Sequence, residues 1–187
     1  MGQLSSGLRR GMTTAIVLAA LAAPAPALAQ AQNAGASALQ APIDRKGFVI
    51  GFSVGGGSAS CATCETKGAA ALSFHLGGML TPRVALLYDT AAVNFTDHGY
   101  AYQPTVSTVA LQYFTSDRVW VKGGVGLGSL WVDNHSGSSH LGLLAAAGVE
   151  LAQKRRFAMD LSGRFTVIHT SGSDVRSVSA QLGFNWY

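Results

Sequence analysis

Between residues 157 and 168 apolar and polar side chains alternate. Phe157, Met159, Leu161, Phe165 and Val167 share one parity; Asp160, Ser162, Arg164 and Thr166 hold the other. A strand turns successive side chains to opposite faces, whereas a helix would scatter these residues around its axis. The pattern returns in 174–187, where Val178, Ala180, Leu182, Phe184 and Trp186 oppose Ser177, Ser179, Gln181, Gly183 and Asn185. It recurs in 47–58, 69–80, 84–95 (where Leu87 breaks the rule), 105–114, 119–132 and 141–152. Eight strands of roughly 10–14 residues are predicted, longer than the usual 5–6 of soluble sheets.

The connectors alternate too. Thr81-Pro82-Arg83, Thr115-Ser116-Asp117-Arg118 and Gln153-Lys154-Arg155-Arg156 are short and polar. Those holding Cys61–Lys67, Thr96–Gln103, Asp133–His140 and Thr170–Asp174 are mostly longer and rich in Gly, Ser, Asn and His. The expectation is an all-β fold: an eight-stranded antiparallel up-and-down barrel with its short turns at one rim. Closure leaves no unpaired sheet edge.

Alternation alone does not say which face looks outward; a soluble carrier barrel would turn the apolar set inward. Three features favour a transmembrane barrel. The strands are long enough to cross an apolar band of about 25 Å when tilted. Glycines on the polar parity (Gly47, Gly51, Gly55 and Gly124, Gly126, Gly128) suit a narrow lumen. Aromatics gather near strand ends as girdles: Tyr113, Phe114, Trp120, Phe157, Trp186 and Tyr187 by the short turns, Phe95 and Trp131 by the loops.

At the start of the chain, Arg9 and Arg10 precede the apolar run 12–23, and Ala27-Leu28-Ala29 offers a small-x-small exit. A run of about 12 residues is shorter than the roughly 20 of a spanning helix. Residues 1–29 are expected to be a secretory signal peptide, 30–44 a flexible lead-in, and 45–187 the barrel. No later stretch reaches 18 consecutive apolar residues, so no internal transmembrane helix is expected.

Composition agrees. Of 187 residues, 48% are hydrophobic and 12% charged. That balance excludes a disordered chain and departs from an ordinary soluble domain. A net charge of +4 without a basic cluster excludes a nucleic-acid partner, and 2 Cys cannot build a disulfide-dense scaffold.

The ending Gln181-Leu182-Gly183-Phe184-Asn185-Trp186-Tyr187 resembles the C-terminal strand signal of bacterial outer-membrane proteins. The segments 121–128 and 145–151 are typical of the same group, and residues 45–187 resemble the small barrels of the OmpA, OmpX and OmpW kind. The resemblance implies location in the outer membrane of a Gram-negative envelope. It implies contact with outer-membrane lipids and lipopolysaccharide, a monomeric state, and insertion by the outer-membrane assembly machinery. Gly183, Phe184, Trp186 and Tyr187 would be the residues that machinery reads; Tyr187 lies on the polar parity.

Four sets of residues carry candidate chemistry. The polar parity places His75, Asp89, Lys122, Glu150, Asp160 and Arg164 in the lumen, where charges need partners. Pairs such as Lys122–Glu150 and Asp160–Arg164 are expected to supply them and hold the lumen shut. Cys61 and Cys64 are expected to form a local disulfide in an oxidising compartment. Only Glu65 adjoins them, so no metal site and no cofactor are expected. In the loops, His98, Tyr100, Tyr102, His135 and His140 are exposed aromatic and imidazole candidates.

Finally, His169 and Ser171 lie two apart with lipid-facing parity, so the imidazole could activate the hydroxyl. They are similar to the His-x-Ser of lipid A 3-O-deacylases. That resemblance makes His169 the base and Ser171 the nucleophile, with Asp174 the available acid and Gly172 standing where the family has Asn. The expected function is a non-enzymatic, porin-like barrel with a structural or interaction role. The alternatives are a lipid A deacylase using His169 and Ser171, and a narrow channel for small molecules.

Overall fold

The computed structural model describes residues 43–61, 66–97, 99–132, 135–170 and 174–187. Residues 1–29, expected to be a signal peptide, most of the expected lead-in, Cys64, His98 and Ser171 lie outside the described residues, and the expected disulfide lies there with Cys64. Eight long antiparallel strands follow: β1 (Phe48–Cys61), β2 (Lys67–Thr81), β3 (Val84–Asp97), β4 (Tyr100–Phe114), β5 (Val119–Val132), β7 (His140–Lys154), β8 (Phe157–His169) and β9 (Val175–Trp186). The two-residue β6 (His135–Ser136) adds a rung to the loop end of β5. Every long strand pairs with its neighbours in sequence, β1 pairs with β9, and the ring is closed.

Strands of 12 to 15 residues rise about 40–50 Å along their axes, enough when tilted to cross a 25 Å apolar band. β4 begins five residues before the expected 105, because Tyr100–Gln103 continue the ladder and Pro104 sits opposite Leu130. The expected long connector Thr96–Gln103 is therefore a tight hairpin. Asp97 pairs with Tyr100. Gly99, at φ 85°, makes the left-handed turn that a Cβ would strain.

The faces separate by chemistry. Phe48 is 61% exposed and Leu127 62%, while Asp89 and Glu150 are 0%. Leu161 and Phe165 look outward; Asp160 and Arg164 are buried within. An outer wall of Leu, Val, Phe and Tyr around an inner column of charge is stable only where lipid replaces water outside.

The expected aromatic girdle needs one correction. Phe114, Trp120 and Tyr187 turn inward and, with Val49, Ala85, Leu87 and Ala158, form an apolar cluster at the short-turn end. Leu87, which broke the alternation, belongs to this cluster. Phe95 likewise packs inside the loop end beside Ala59, Ala71 and Val93, stacked on Tyr102 at 5.4 Å. The outward girdle consists instead of Phe48, Phe52, Tyr113, Phe157, Phe184 and Trp186 at one end and Trp131 at the other. Parity decides this: strand-end position alone does not say which face an aromatic takes.

Inward glycines make room for the large inward side chains. At Gly148 a Cβ would stand 2.5 Å from the Trp120 ring and 3.0 Å from Ser162 Cβ, whereas the outward Gly123 has nothing within 4 Å. Gly148→Val is therefore expected to lower the unfolding free energy in lipid vesicles by about 1–3 kcal/mol, with Gly123→Val within about 0.5 kcal/mol of the parent. Urea titration followed by heat-modifiable gel migration checks both.

Candidate functional site

The register of three strands sets the centre of the lumen. Lys122 on β5 lies opposite Ala146 on β7, and Ala146 lies opposite Arg164 on β8. One row thus carries two cations flanking a methyl group, and the small residue leaves both side chains free to extend inward. Across the lumen stands Asp89 on β3, four strands from β8 in either direction around the ring.

Asp89 takes both cations. Lys122 Nζ donates to its Oδ2 at 2.9 Å; Arg164 Nη1 donates to Oδ1 at 2.5 Å and Nη2 to Oδ2 at 3.3 Å. All three side chains are at most 3% exposed. His75, also buried, is the register partner of Asp89. The Arg164–Asp89 contact joins opposite walls of the barrel, so the lumen is crossed at its middle by a charged strut.

A second constellation closes the short-turn mouth. Arg45, just ahead of β1, folds inward. Its Nη2 donates to Glu150 Oε2 at 2.6 Å and to the Asp117 carbonyl at 2.5 Å. Its guanidinium lies 4.0 Å from the Phe114 ring centroid. Gln153 Nε2 donates to the same Glu150 oxygen at 2.6 Å, and the Tyr187 hydroxyl donates to Oε1 at 2.7 Å. The Asp44 amide donates to the Arg155 carbonyl at 2.8 Å, and Ile43 packs on the apolar cluster, so residues 43–45 are part of the mouth.

All six expected lumen residues are buried on the inner face, but their pairing differs from expectation. Lys122 does not pair with Glu150, which lies four residues beyond Ala146 toward the short turns. Arg164 does not pair with Asp160. The sequence separation along one strand and the stagger between strands put those groups at different heights, while Asp89 is level with both cations. Asp160 accepts from Asn185 Nδ2 at 2.6 Å. Further toward the loops the lumen is held by neutral polar pairs: Ser73 Oγ donates to Gln181 Oε1 at 2.8 Å, and Thr166 and Ser177 hydroxyls meet at 2.6 Å. Arg45, Gln153, Gln181, Asn185 and Tyr187 were not among the expected network residues. Parity marked Gln181 and Asn185; nothing ahead of the first alternating segment marked Arg45.

The arrangement holds charge without exposing it. Each carboxylate in the strut and mouth is committed to donors, Asp89 to β5 and β8 and Glu150 to Arg45, Gln153 and Tyr187, which suits sealing rather than proton transfer to a substrate. Outside the lumen one pair has different character. His169, at the loop end of β8 on the lipid-facing parity, has its Nδ1 2.9 Å from Asp174 Oδ1, and both are partly exposed. Arg176 Nη2 lies 3.6 Å from the other oxygen of Asp174.

No family model and no curated protein matches the chain. Solved structures do. The chain is similar to Neisserial surface protein A, with a TM-score of 0.61 at 13% identity, covering 74% of this chain and 96% of that one. It is similar also to Ail, the attachment invasion locus protein of Yersinia pestis, with a TM-score of 0.52 at 13% identity, covering 75% and 99%. The chain has the eight-stranded barrel fold of these outer-membrane proteins.

Removing the shared acceptor should be far costlier than removing a carboxylate with a neutral partner. Asp89→Ala strands two buried cations and is expected to destabilise the barrel by about 3–5 kcal/mol. Asp160→Asn keeps a hydrogen-bonding group beside Asn185 and is expected to cost about 1 kcal/mol or less. Unfolding in urea from phospholipid vesicles measures both.

Proposed function

We propose that this outer-membrane barrel is a sealed, non-enzymatic scaffold that serves the cell envelope through its loops and its lipid-facing wall. The observation that carries the reading is the closed lumen: Asp89 joins opposite walls through Arg164 and Lys122, and Arg45 with Glu150 and Tyr187 fills the short-turn mouth. An eight-stranded barrel is narrow enough for side chains alone to fill it. A rigid wall then leaves the connectors as the parts free to carry recognition. In this reading the wall contacts outer-membrane lipids and lipopolysaccharide, the barrel works as a monomer, and the assembly machinery reads residues 181–187. Phe184 and Trp186 are the outward members of that signal, while Tyr187 closes the mouth.

The narrow-channel alternative makes the opposite statement about the lumen. In planar bilayers the folded chain is expected to give no single-channel steps. A stable conductance that disappears on blocking the lumen, and not the loops, would sink the sealed-scaffold reading.

One observation favours a second reading. The His169–Asp174 contact of 2.9 Å supplies the acid-oriented imidazole that a lipid A 3-O-deacylase requires. Ser171, its nucleophile, lies outside the described residues. Lipid A from cells expressing the chain tests this by mass spectrometry. Loss of one 3-O-linked acyl chain with the parent and its retention with Ser171→Ala would establish the hydrolase; unchanged lipid A with the parent is the expected result.

A further inference from the structure

We propose that the outer face of the β1–β9 seam, at the short-turn rim, binds an anionic phospholipid of the periplasmic leaflet. Lys46 and Arg156 hold the phosphate; Phe48, Ile50 and Trp186 hold the start of the acyl chain.

The first observation is a groove. A cleft of about 370 Å³ opens on this face, lined by Lys46, Phe48, Ile50, Arg156, Trp186 and Tyr187. Its two cations stand at the membrane-surface end, where Lys46 precedes β1 and Arg156 precedes β8. Its apolar side chains run along the strands into the lipid-facing wall. A polar, positively charged top over an apolar wall is complementary to a phosphate over an acyl chain. Lys46 Nζ is 3.4 Å from Asp44 Oδ1, but both groups are largely exposed, and such pairs contribute little.

The aromatic wall is the second observation. Phe52 and Phe184 stack at 5.2 Å, and Phe157 meets Trp186 at 5.3 Å. These contacts join β1, β9 and β8 into one firm surface beside the groove. Indole rings favour the headgroup level of a bilayer, which sets the height of the site.

The third is the distribution of charge. Around the short turns stand Lys46, Arg83, Arg118, Lys154, Arg155 and Arg156, against the carboxylates Asp44 and Asp117. At the loop rim, Lys67 lies 3.2 Å from Asp97, and Arg176 lies 3.6 Å from Asp174. The excess of cations therefore belongs to one rim. Short turns face the periplasm in such barrels, so the rim meets the phospholipid leaflet rather than lipopolysaccharide. Cations near an anionic leaflet are attracted to it individually; here the groove gathers two of them over an apolar slot.

The test uses the full chain folded into vesicles of equal parts phosphatidylglycerol and phosphatidylcholine. After transfer to mild detergent, retained lipids are identified by native mass spectrometry, and heat-modifiable migration verifies that each variant is folded. Phosphatidylglycerol is expected to be retained in preference to phosphatidylcholine. The preference should fall roughly tenfold in Lys46→Gln/Arg156→Gln and by a smaller factor in Arg156→Gln alone. Arg118→Gln, in the β4–β5 turn on the opposite side of the ring, should leave it unchanged. Equal retention of the two lipids by the parent overturns the proposal. So does an undiminished preference in the double variant, or an equal loss in Arg118→Gln, which would mean diffuse attraction to the rim. Displacement of the retained lipid by inorganic phosphate alone would also overturn it, assigning the site to free phosphate.

Discussion

The structure depends on one constraint: eight strands enclose so little space that the inward charged groups find their partners on other inward groups. Lipid outside offers an inward polar group no partner at all. Asp89 meets the constraint in the most economical way. One carboxylate answers two cations, and because they rise from β5 and β8, the contact ties three separate parts of the ring. The strut therefore fixes the cross-section of the barrel as well as its charge balance. Small residues belong to the same device: Ala146 lies between Lys122 and Arg164 in the row, and inward glycines leave room for Trp120 and its neighbours.

The two ends of the lumen solve the same problem differently. Near the loops, Ser, Thr and Gln satisfy one another, and the wall carries small or apolar side chains such as Ala59, Ala71 and Val93. Near the short turns, aromatic bulk replaces hydroxyls, and a single anion, Glu150, gathers Arg45, Gln153 and Tyr187. Both the segment before β1 and the residue after β9 contribute to this mouth. The seam where the barrel closes thus gains side-chain contacts beyond its ladder, and the same region carries the outward aromatic cluster. Inside and outside, the β1–β9 junction is built more heavily than a ladder alone requires.

Fold and topology were largely legible in the chain. Period-two alternation located all eight strands, because in a two-faced barrel wall each residue must suit either lipid or lumen, and the code is written residue by residue. The departures have local causes. Tyr100–Gln103 read as loop because Gln103-Pro104 breaks the apolar pattern, yet the hairpin holds them in register with β3 and β5. Phe114, Trp120 and Phe95 read as girdle because aromatics at strand ends commonly are; their parity placed them inside. All six lumen residues were identifiable for the same reason. Arg45 was not, since it lies ahead of the first alternating segment, 47–58, where no periodicity announces that it folds back.

What the sequence determined by itself was which face each side chain takes, because alternation is a property of neighbouring residues on one strand. What only the tertiary structure decided was which inward groups meet. Partners in a barrel are chosen by stagger and by distance across the lumen, and both arise from ring closure. Lys122 and Arg164 therefore share Asp89, a residue far from either in the chain, while Glu150 and Asp160, nearer in sequence, are held at another height and answer to Arg45 and Asn185.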